Sequence, residues 1–109
     1  MKLKELAEKL ELKGVTSLFD KEVTGVYISD MVSDVIANSK PGNILVTIQI
    51  HGNVIAAANL VDSAAIVVPQ GKQPAPDVVK MAEKAEISIF TTTLNQWQVA
   101  TKLYECGIR

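Results

Sequence analysis

Four short polar segments carry the side chains that could do chemistry in this sequence. Each follows an apolar run: Ser29-Asp30, His51-Gly52-Asn53, Gln70-Gly71-Lys72 and Thr91-Thr92-Thr93. Together they offer hydroxyls, backbone amides, one imidazole and one ammonium, the groups that hold an anion such as phosphate. Helix capping is the simpler explanation for Ser29, Asp30 and Asn53, because such residues satisfy the free amides at a helix start. The threonine triplet is less ordinary, since a helix needs only one cap.

No catalytic or metal-binding arrangement accompanies these segments. His51 is the only histidine and Cys106 the only cysteine, and no other ligand-type residue stands near either at metal spacing. Cys106 falls at the end of the last predicted helix, whereas a reactive thiolate prefers a helix start or a cationic neighbour. The Walker motif is absent, because residues 70–73 lack its first glycine and its hydroxyl residue, and no dinucleotide-binding glycine cluster is present. The sequence predicts no enzyme, no metal and no cofactor.

Composition narrows the class of protein. The chain has 109 residues, of which 48% are hydrophobic and 21% charged, which predicts one domain over residues 1–109. Lys and Arg total 11 against 12 Asp and Glu, spread without a basic stripe, so no nucleic-acid partner is expected. Polar residues interrupt the longest apolar run, residues 54–68, so no membrane span is expected. A single cysteine and the lack of a signal-peptide pattern favour a cytoplasmic location.

The elements that must position the polar segments are organised around residues 42–71. This stretch reads as a strand at residues 44–50, an apolar helix at 53–61 capped by Asn53, and a strand at Ala65–Val68, which predicts a right-handed βαβ unit. Pro76 is expected in the first turn of a helix through residue 86, and Asn95 as the cap of a last helix ending near Cys106. The remaining pattern predicts helices at residues 2–11 and 31–38, and extended segments at 15–19, 23–28 and 87–90.

Regular alternation of these elements predicts an α/β fold, a three-layer α/β/α sandwich with a mostly parallel sheet. Ligands of such sheets bind beyond the carboxyl ends of the strands, where the four polar segments fall. The candidate ligand-binding residues are therefore Ser29, Asp30, His51, Gly71, Lys72, Thr91 and Thr92. The amide of Gly71 and the ammonium of Lys72 are expected to contact an anion, provided that the strand order brings these ends together.

Several weak motifs, in a particular order, point to a family. They are Val23-Thr24-Gly25 through Ser29-Asp30, Ile36-Ala37-Asn38 with Pro41-Gly42, the segment 46–60 and the run 64–76. Through them residues 3–108 resemble a stand-alone DRTGG domain, a module found beside CBS domains in some pyrophosphatases and in some phosphotransacetylases, and similar to the amino-terminal domain of HPr kinase/phosphorylase. Pro69-Gln70-Gly71 stands where that family usually has Thr-Gly-Gly.

The resemblance implies regulation and not catalysis. It predicts a homodimeric sensor module that binds a small phosphorylated or nucleotide ligand at the carboxyl edge of the sheet. The alternative is a ligand-free protein-interaction adaptor, accessory to a redox, hydrogenase or signalling system. The homodimer is also predicted from residues 53–60, because a helix that is apolar all round must be covered on every side, and so small a domain has few layers to cover it.

Overall fold

The computed structural model describes residues 1–109 as five helices and five strands. The helices are α1 (Leu3–Lys9), α2 (Val32–Asn38), α3 (Gly52–Leu60), α4 (Pro76–Ala85) and α5 (Gln96–Glu105). The strands are β1 (Lys13–Gly14), β2 (Gly25–Ile28), β3 (Asn43–Val46), β4 (Ala65–Val68) and β5 (Ser88–Thr91). None of the helices is long and apolar enough to cross a bilayer.

The strands form one sheet in the order β1-β5-β4-β3-β2. The four strands β2 to β5 are parallel and stand side by side in chain order, while the short β1 runs antiparallel along β5. Every residue of β3, β4 and β5 is buried. Such continuous burial is typical of parallel strands with helices on both faces, because neither face meets water.

Two core clusters lie on opposite faces of this sheet and confirm the three-layer α/β/α sandwich. On one face α2, α3 and α4 contribute Val35, Val54, Ile55, Ala57, Ala58, Val78 and Ala82, which pack on Leu45, Ile66, Val68 and Ile89. On the other face α1 and α5 contribute Leu3, Leu6, Val99 and Leu103, which pack on Ile44, Val46, Val67 and Phe90. Alternate residues of each strand thus serve opposite faces, as the period of two requires.

Two helix starts follow the sequence prediction. Pro76 is the first residue of α4, where its missing N–H costs nothing. Asn95 caps α5 through a capping box: its side chain accepts from the amide of Gln98, whose side chain accepts in return from the amide of Asn95. The bounds of β4 are also those predicted.

Two local predictions are wrong. Asn53 does not cap α3, because that helix begins one residue earlier and His51 is its cap position, without a side-chain hydrogen bond. The strand expected at residues 44–50 ends at Val46, because the amide of Ile48 turns to the carboxylate of Asp30 at 2.8 Å. Residues 15–19, expected to be extended, follow β1 outside the strands and stay beside β5: the amide of Val15 donates to the carbonyl of Ile89 at 2.9 Å, and the hydroxyl of Thr16 accepts the Ile89 amide at 3.0 Å.

Intrachain packing accounts for much of the apolar character of α3. The helix lies on the sheet between α2 and α4, and its residues Val54, Ile55, Ala57 and Ala58 are buried there. Ala56 and Leu60 remain exposed, Leu60 by 67%. The helix is therefore covered on three sides within the chain, so its composition alone does not require a second subunit.

Candidate functional site

The neighbouring strands β4 and β5 send their following helices to opposite faces of the sheet. Val78 and Ala82 of α4 belong to the core of one face, whereas Val99 and Leu103 of α5 belong to the other. Helices that diverge in this way leave a crevice at the carboxyl ends of the two strands, which is the usual position of ligands in open parallel sheets. A ligand site is therefore expected at the loops that follow β4 and β5.

The loop after β5 crosses over the end of β4 before α5 begins. The amide of Gln70 donates to the carbonyl of Leu94, and the amide of Gly71 to the carbonyl of Thr92, both at 2.8 Å. Gln70 and Gly71 have positive φ angles of 64° and 69°, which turn both amides towards this loop. The expectation that the Gly71 amide contacts an anion is wrong, because that N–H already has an acceptor.

A cleft opens beside this crossing, and we call it the threonine cleft. Its volume is about 350 Å³, and it is lined by Glu11, Lys13, Gly71, Gln73, Thr91, Thr92 and Thr93. Three of the predicted ligand residues, Gly71, Thr91 and Thr92, are thus brought together. The lining contains no hydrophobic residue, so the cleft suits a small polar ligand.

Thr91 is the most unusual residue of the threonine cleft. The residue is only 3% exposed and its hydroxyl makes no hydrogen bond within the chain, but the hydroxyl is not one of the two fully buried unpartnered oxygens, which belong to Ser39 and Ser63. The Thr91 hydroxyl therefore reaches the surface at the cleft, where water or a ligand can accept its proton. The hydroxyl of Thr92 accepts from the amide of Leu94 at 3.2 Å and keeps its own proton to donate. Both hydroxyls can therefore donate to an anion in the cleft.

A second cleft adjoins the first on the side of α1 and α5, and we call it the lysine cleft. It also measures about 350 Å³, and its lining consists of Lys9, Leu10, Glu11, Thr92, Thr93, Leu94 and Lys102. Glu11, Thr92 and Thr93 line both clefts. Lys9 lies 3.4 Å from Glu5, a pair in which both side chains are more than half exposed, while Lys13 and Lys102 form no ion pair.

Lys72 does not line either cleft, although it is adjacent to Gly71 in the chain. Its side chain is exposed and forms no ion pair. The cation at the threonine cleft is instead Lys13, which β1 places opposite Thr91 in the antiparallel register. Glu11 and Lys13 were not among the predicted ligand residues, because a strand of two residues leaves no periodic signal in the sequence.

Ser29 lies three strands away from Thr91, at the end of β2. With strands about 4.8 Å apart, the two strand ends are separated by roughly 14 Å, too far for one small anion to touch both. The Ser29 hydroxyl accepts from the amide of Met31 at 3.2 Å. It also has two acceptors within reach, the carboxylate of Asp34 and, at 3.5 Å, the Met31 carbonyl.

A hydrogen-bonded group surrounds Asp34 on α2. Hydrogen bonds from Ser29, Tyr27 and Asn38 hold the pKa of the Asp34 carboxyl below its usual value. The last two, from the Tyr27 hydroxyl and the Asn38 amide, are both 2.8 Å long. The bond to Asp34 in turn raises the pKa of Tyr27. This group is distant from the threonine cleft and joins β2 to α2.

Asp30 ties three segments together. Its carboxylate accepts from the hydroxyl of Thr47 at 3.1 Å, from the amide of Ile48 at 2.8 Å and from the side chain of Gln96 at 3.1 Å. Its backbone carbonyl accepts from the side chain of Gln49 at 2.9 Å. The acceptor atoms of Asp30 are therefore occupied by the loop after β3 and by the start of α5, and none of its partners is a cation.

His51 lies at the cap position of α3 and lines neither the threonine cleft nor the lysine cleft. Its side chain is exposed and makes no hydrogen bond. It lines none of the four surface clefts of the molecule. Nowhere in the chain do three or more His, Cys, Asp or Glu residues lie close enough to hold a metal ion.

A different kind of surface lies on α5. Trp97 and Tyr104 are 75% and 59% exposed and flank a groove of about 420 Å³ with Ala100, Thr101 and Glu105. The guanidinium of Arg109 lies 4.1 Å from the centre of the Tyr104 ring, which is a cation–π contact. The buried face of this helix is formed by Val99 and Leu103.

Fold and cleft together define a small three-layer α/β/α domain with a polar crevice between two diverging βα units. Within that class the chain belongs to the DRTGG domain family, whose model matches residues 5–106. This confirms the resemblance seen in the sequence. Comparison with curated proteins gave no significant match.

One of the solved structures that share this fold contains a DRTGG domain. It is the crystal structure of the CBS and DRTGG domains of the regulatory region of Clostridium perfringens pyrophosphatase, complexed with the activator diadenosine tetraphosphate. The two chains superpose with a TM-score of 0.69 at 14% sequence identity, over 93% of this chain and 45% of the other. This chain therefore spans less than half the length of that regulatory region.

Proposed function

We propose that this chain is a non-catalytic regulatory module that binds a small phosphorylated or nucleotide ligand in the threonine cleft. The observation that carries the proposal is the hydroxyl of Thr91, which has no partner in the chain and belongs to a residue that lines the same cleft as Lys13. A phosphate oxygen accepts from a hydroxyl and pairs with an ammonium, so it would satisfy both groups. We take residues 1–109 as one domain. Its single cysteine, Cys106, forms no disulfide, which favours a reducing cytoplasmic location.

The comparison with the pyrophosphatase supports a nucleotide ligand. That protein contains a DRTGG domain in a regulatory region that was crystallised with a nucleotide activator. A family whose members accompany nucleotide-responsive domains is expected to bind or transmit such signals, which favours regulation over catalysis here. The clefts contain threonine hydroxyls beside Lys and Glu, but no hydrogen bond joins any of these hydroxyls to a lysine or a glutamate, so no nucleophile–base pair is formed there.

A thermal-shift screen of nucleotides and phosphorylated metabolites tests this proposal. A ligand at ~100 times its dissociation constant adds roughly 2.7 kcal/mol to the stability and raises the Tm. Calorimetry then compares Lys13→Ala with the matched control Lys72→Ala, which removes the same side chain from a residue that does not line the cleft, although its neighbours Gly71 and Gln73 do. Weaker binding in the first variant alone supports the threonine cleft. Equal affinities in both variants place the site elsewhere, and a flat screen rejects a ligand-binding function.

We further propose that the module acts as a homodimer through the outer surface of the α2–α3–α4 layer. Ile36, Leu60 and Met81 expose 44%, 67% and 43% of their surface there. Ala56 and Met81 also line a groove of about 340 Å³ between α3 and α4. Light scattering is the test: the native chain should be a dimer and Leu60→Glu a monomer, while the control Trp97→Ser stays dimeric. A native monomer at micromolar concentration contradicts the homodimer.

A ligand-free interaction adaptor is the second candidate, and the groove on α5 favours it. Exposed Trp and Tyr side chains are frequent anchors of protein interfaces. Trp97 is the only tryptophan, so its fluorescence reports on this groove alone. A blue shift of its emission when a protein partner is added, with a flat ligand screen, would favour the adaptor. Emission that stays typical of solvent-exposed tryptophan would count against it.

A further inference from the structure

The threonine cleft and the lysine cleft meet along a shared wall. Glu11, Thr92 and Thr93 line both clefts, and the lysines of the two linings lie on opposite sides of this wall. Lys13 belongs to the threonine cleft, and Lys9 and Lys102 belong to the lysine cleft. A ligand that enters one cleft can therefore extend over the threonines into the other.

The charge of the joined clefts differs from that of the whole chain. The chain has a formal net charge of −1, whereas three lysines against one glutamate leave the two clefts with +2. Lys13 and Lys102 form no ion pair, and the exposed pair of Lys9 with Glu5 is of the kind that contributes little energy. Unpaired cations at both ends of a groove lined by hydroxyls favour a ligand with several linked negative groups.

From this arrangement we infer that the two clefts form one site for an oligophosphate, with one phosphate at Thr91 and Lys13 and a further phosphate at Lys102 and Lys9. The inference rests on the proposed function, because it concerns the chemical class of the same ligand. Thr92 and Thr93 lie between the two ends and face both clefts. A single phosphate reaches only one end, so the affinity increases with the number of phosphates.

Glu11 is the one acidic residue in the linings of the two clefts, and its charge is expected to lower the affinity for an oligophosphate. Its backbone lies in the left-handed region with φ 53°, it lines both clefts, and it forms no ion pair. A carboxylate at the junction repels a bound phosphate chain, whereas the lysines attract it. Replacing Glu11 by Gln keeps the shape of the side chain and removes the repulsion, so it strengthens oligophosphate binding.

The test uses inorganic phosphate, pyrophosphate and triphosphate with the full chain, in isothermal titration calorimetry at low ionic strength. We expect triphosphate to bind at least about tenfold more tightly than phosphate, the effect of one additional hydrogen bond to a charged group. Lys13→Ala and Lys102→Ala should each weaken triphosphate binding by about tenfold. Lys72→Ala is the control and should change nothing, while Glu11→Gln should bind more tightly. Circular dichroism verifies that each variant is folded.

The outcomes separate this inference from the proposed function. If nucleotides raise the Tm while triphosphate binds no better than phosphate, the oligophosphate site is wrong and the regulatory module stands. The inference also fails if Lys102→Ala binds triphosphate as the native chain does, because the lysine cleft then takes no part. If no nucleotide, phosphorylated metabolite or inorganic phosphate binds, both are rejected.

Discussion

The side-chain amide of Gln96 donates to both carboxylate oxygens of Asp30, at 3.1 and 3.3 Å. Asp30 follows β2, whereas Gln96 begins α5 on the opposite face from α2. This contact fixes the start of α5 and with it the end of the loop that crosses β4. The loop contributes Thr92 and Thr93 to the threonine cleft, so Asp30 supports the site from a distance.

Removal of the Asp30 carboxylate is expected to destabilise the fold. Asp30→Ala leaves the partly buried Ile48 amide and Gln96 side chain without their acceptor, at a cost of about 1–3 kcal/mol. Gln96→Ala removes one donor only and should cost roughly 1 kcal/mol. Urea denaturation of both variants and of the double variant measures the coupling between them. Strictly additive losses would mean that the contact carries no energy of its own.

The group around Asp34 predicts a dependence of stability on pH. Because the pKa of Asp34 is lowered in the folded chain, its contribution is present above the unfolded pKa and is lost as the pH falls through the folded pKa. Tyr27→Phe removes one of the donors, so the pKa of Asp34 should rise towards its usual value. Carboxyl ¹³C NMR titration measures this change. An unaltered Asp34 titration in the variant would show that the Tyr27 hydrogen bond does not hold the carboxylate.

Glu86 ends α4 in the left-handed conformation, with φ 57° and ψ 45°. This conformation costs a side-chain-bearing residue about 1–2 kcal/mol, and glycine adopts it freely. Glu86→Gly should therefore stabilise the chain by about 1 kcal/mol and raise the Tm by about 4 °C. Lys84→Gly in the last turn of the same helix is the control, and should lower the stability by about 1 kcal/mol. Destabilisation by Glu86→Gly would show that its side chain makes a contribution larger than the backbone strain.

Thr91→Val separates the role of the hydroxyl in binding from its role in folding. Valine has nearly the shape of threonine and suits a strand, and the lost hydroxyl has no partner in the chain. The free energy of unfolding should therefore stay the same or rise, while affinity for any ligand of the threonine cleft falls. Ser88→Ala at the other end of β5 is the contrasting change, because that hydroxyl accepts the Phe19 amide at 2.8 Å and its loss should destabilise. A marked loss of stability in Thr91→Val would argue that the hydroxyl is structural.

Local signals in the sequence were sufficient to predict an element where a residue type strongly prefers one structural position. Pro76 at a helix start and the Asn95 capping box follow from the backbone chemistry of those residues, and both were predicted. The apolar run of β4 predicted its bounds, because both of its faces are buried. The alternation of such elements then led to the fold class.

The sequence did not reveal which residues that are far apart in the chain contact one another. Lys13 reaches the threonine cleft only because β1 pairs with β5 at Thr91, and nothing in the segment around Lys13 indicates that partner. Asp30 and Asn53 were both read as helix caps, yet the acceptor of Asp30 is taken by a loop after another strand. Gly71 was predicted to offer its amide, but the carbonyl of Thr92 already occupies it. In each case tertiary contacts decide which partner a polar group finds.

The most direct test of the ligand site is a titration of the ¹⁵N-labelled chain with ATP, followed by amide chemical shifts. If the threonine cleft binds the phosphates, the largest changes should appear at Lys13, Gln73 and residues 91–93, with little change on α3. The same titration of Thr91→Val should show weaker changes at the same positions. Changes centred on Trp97 and Tyr104, or no changes at millimolar ATP, would contradict a phosphate-binding site in this cleft.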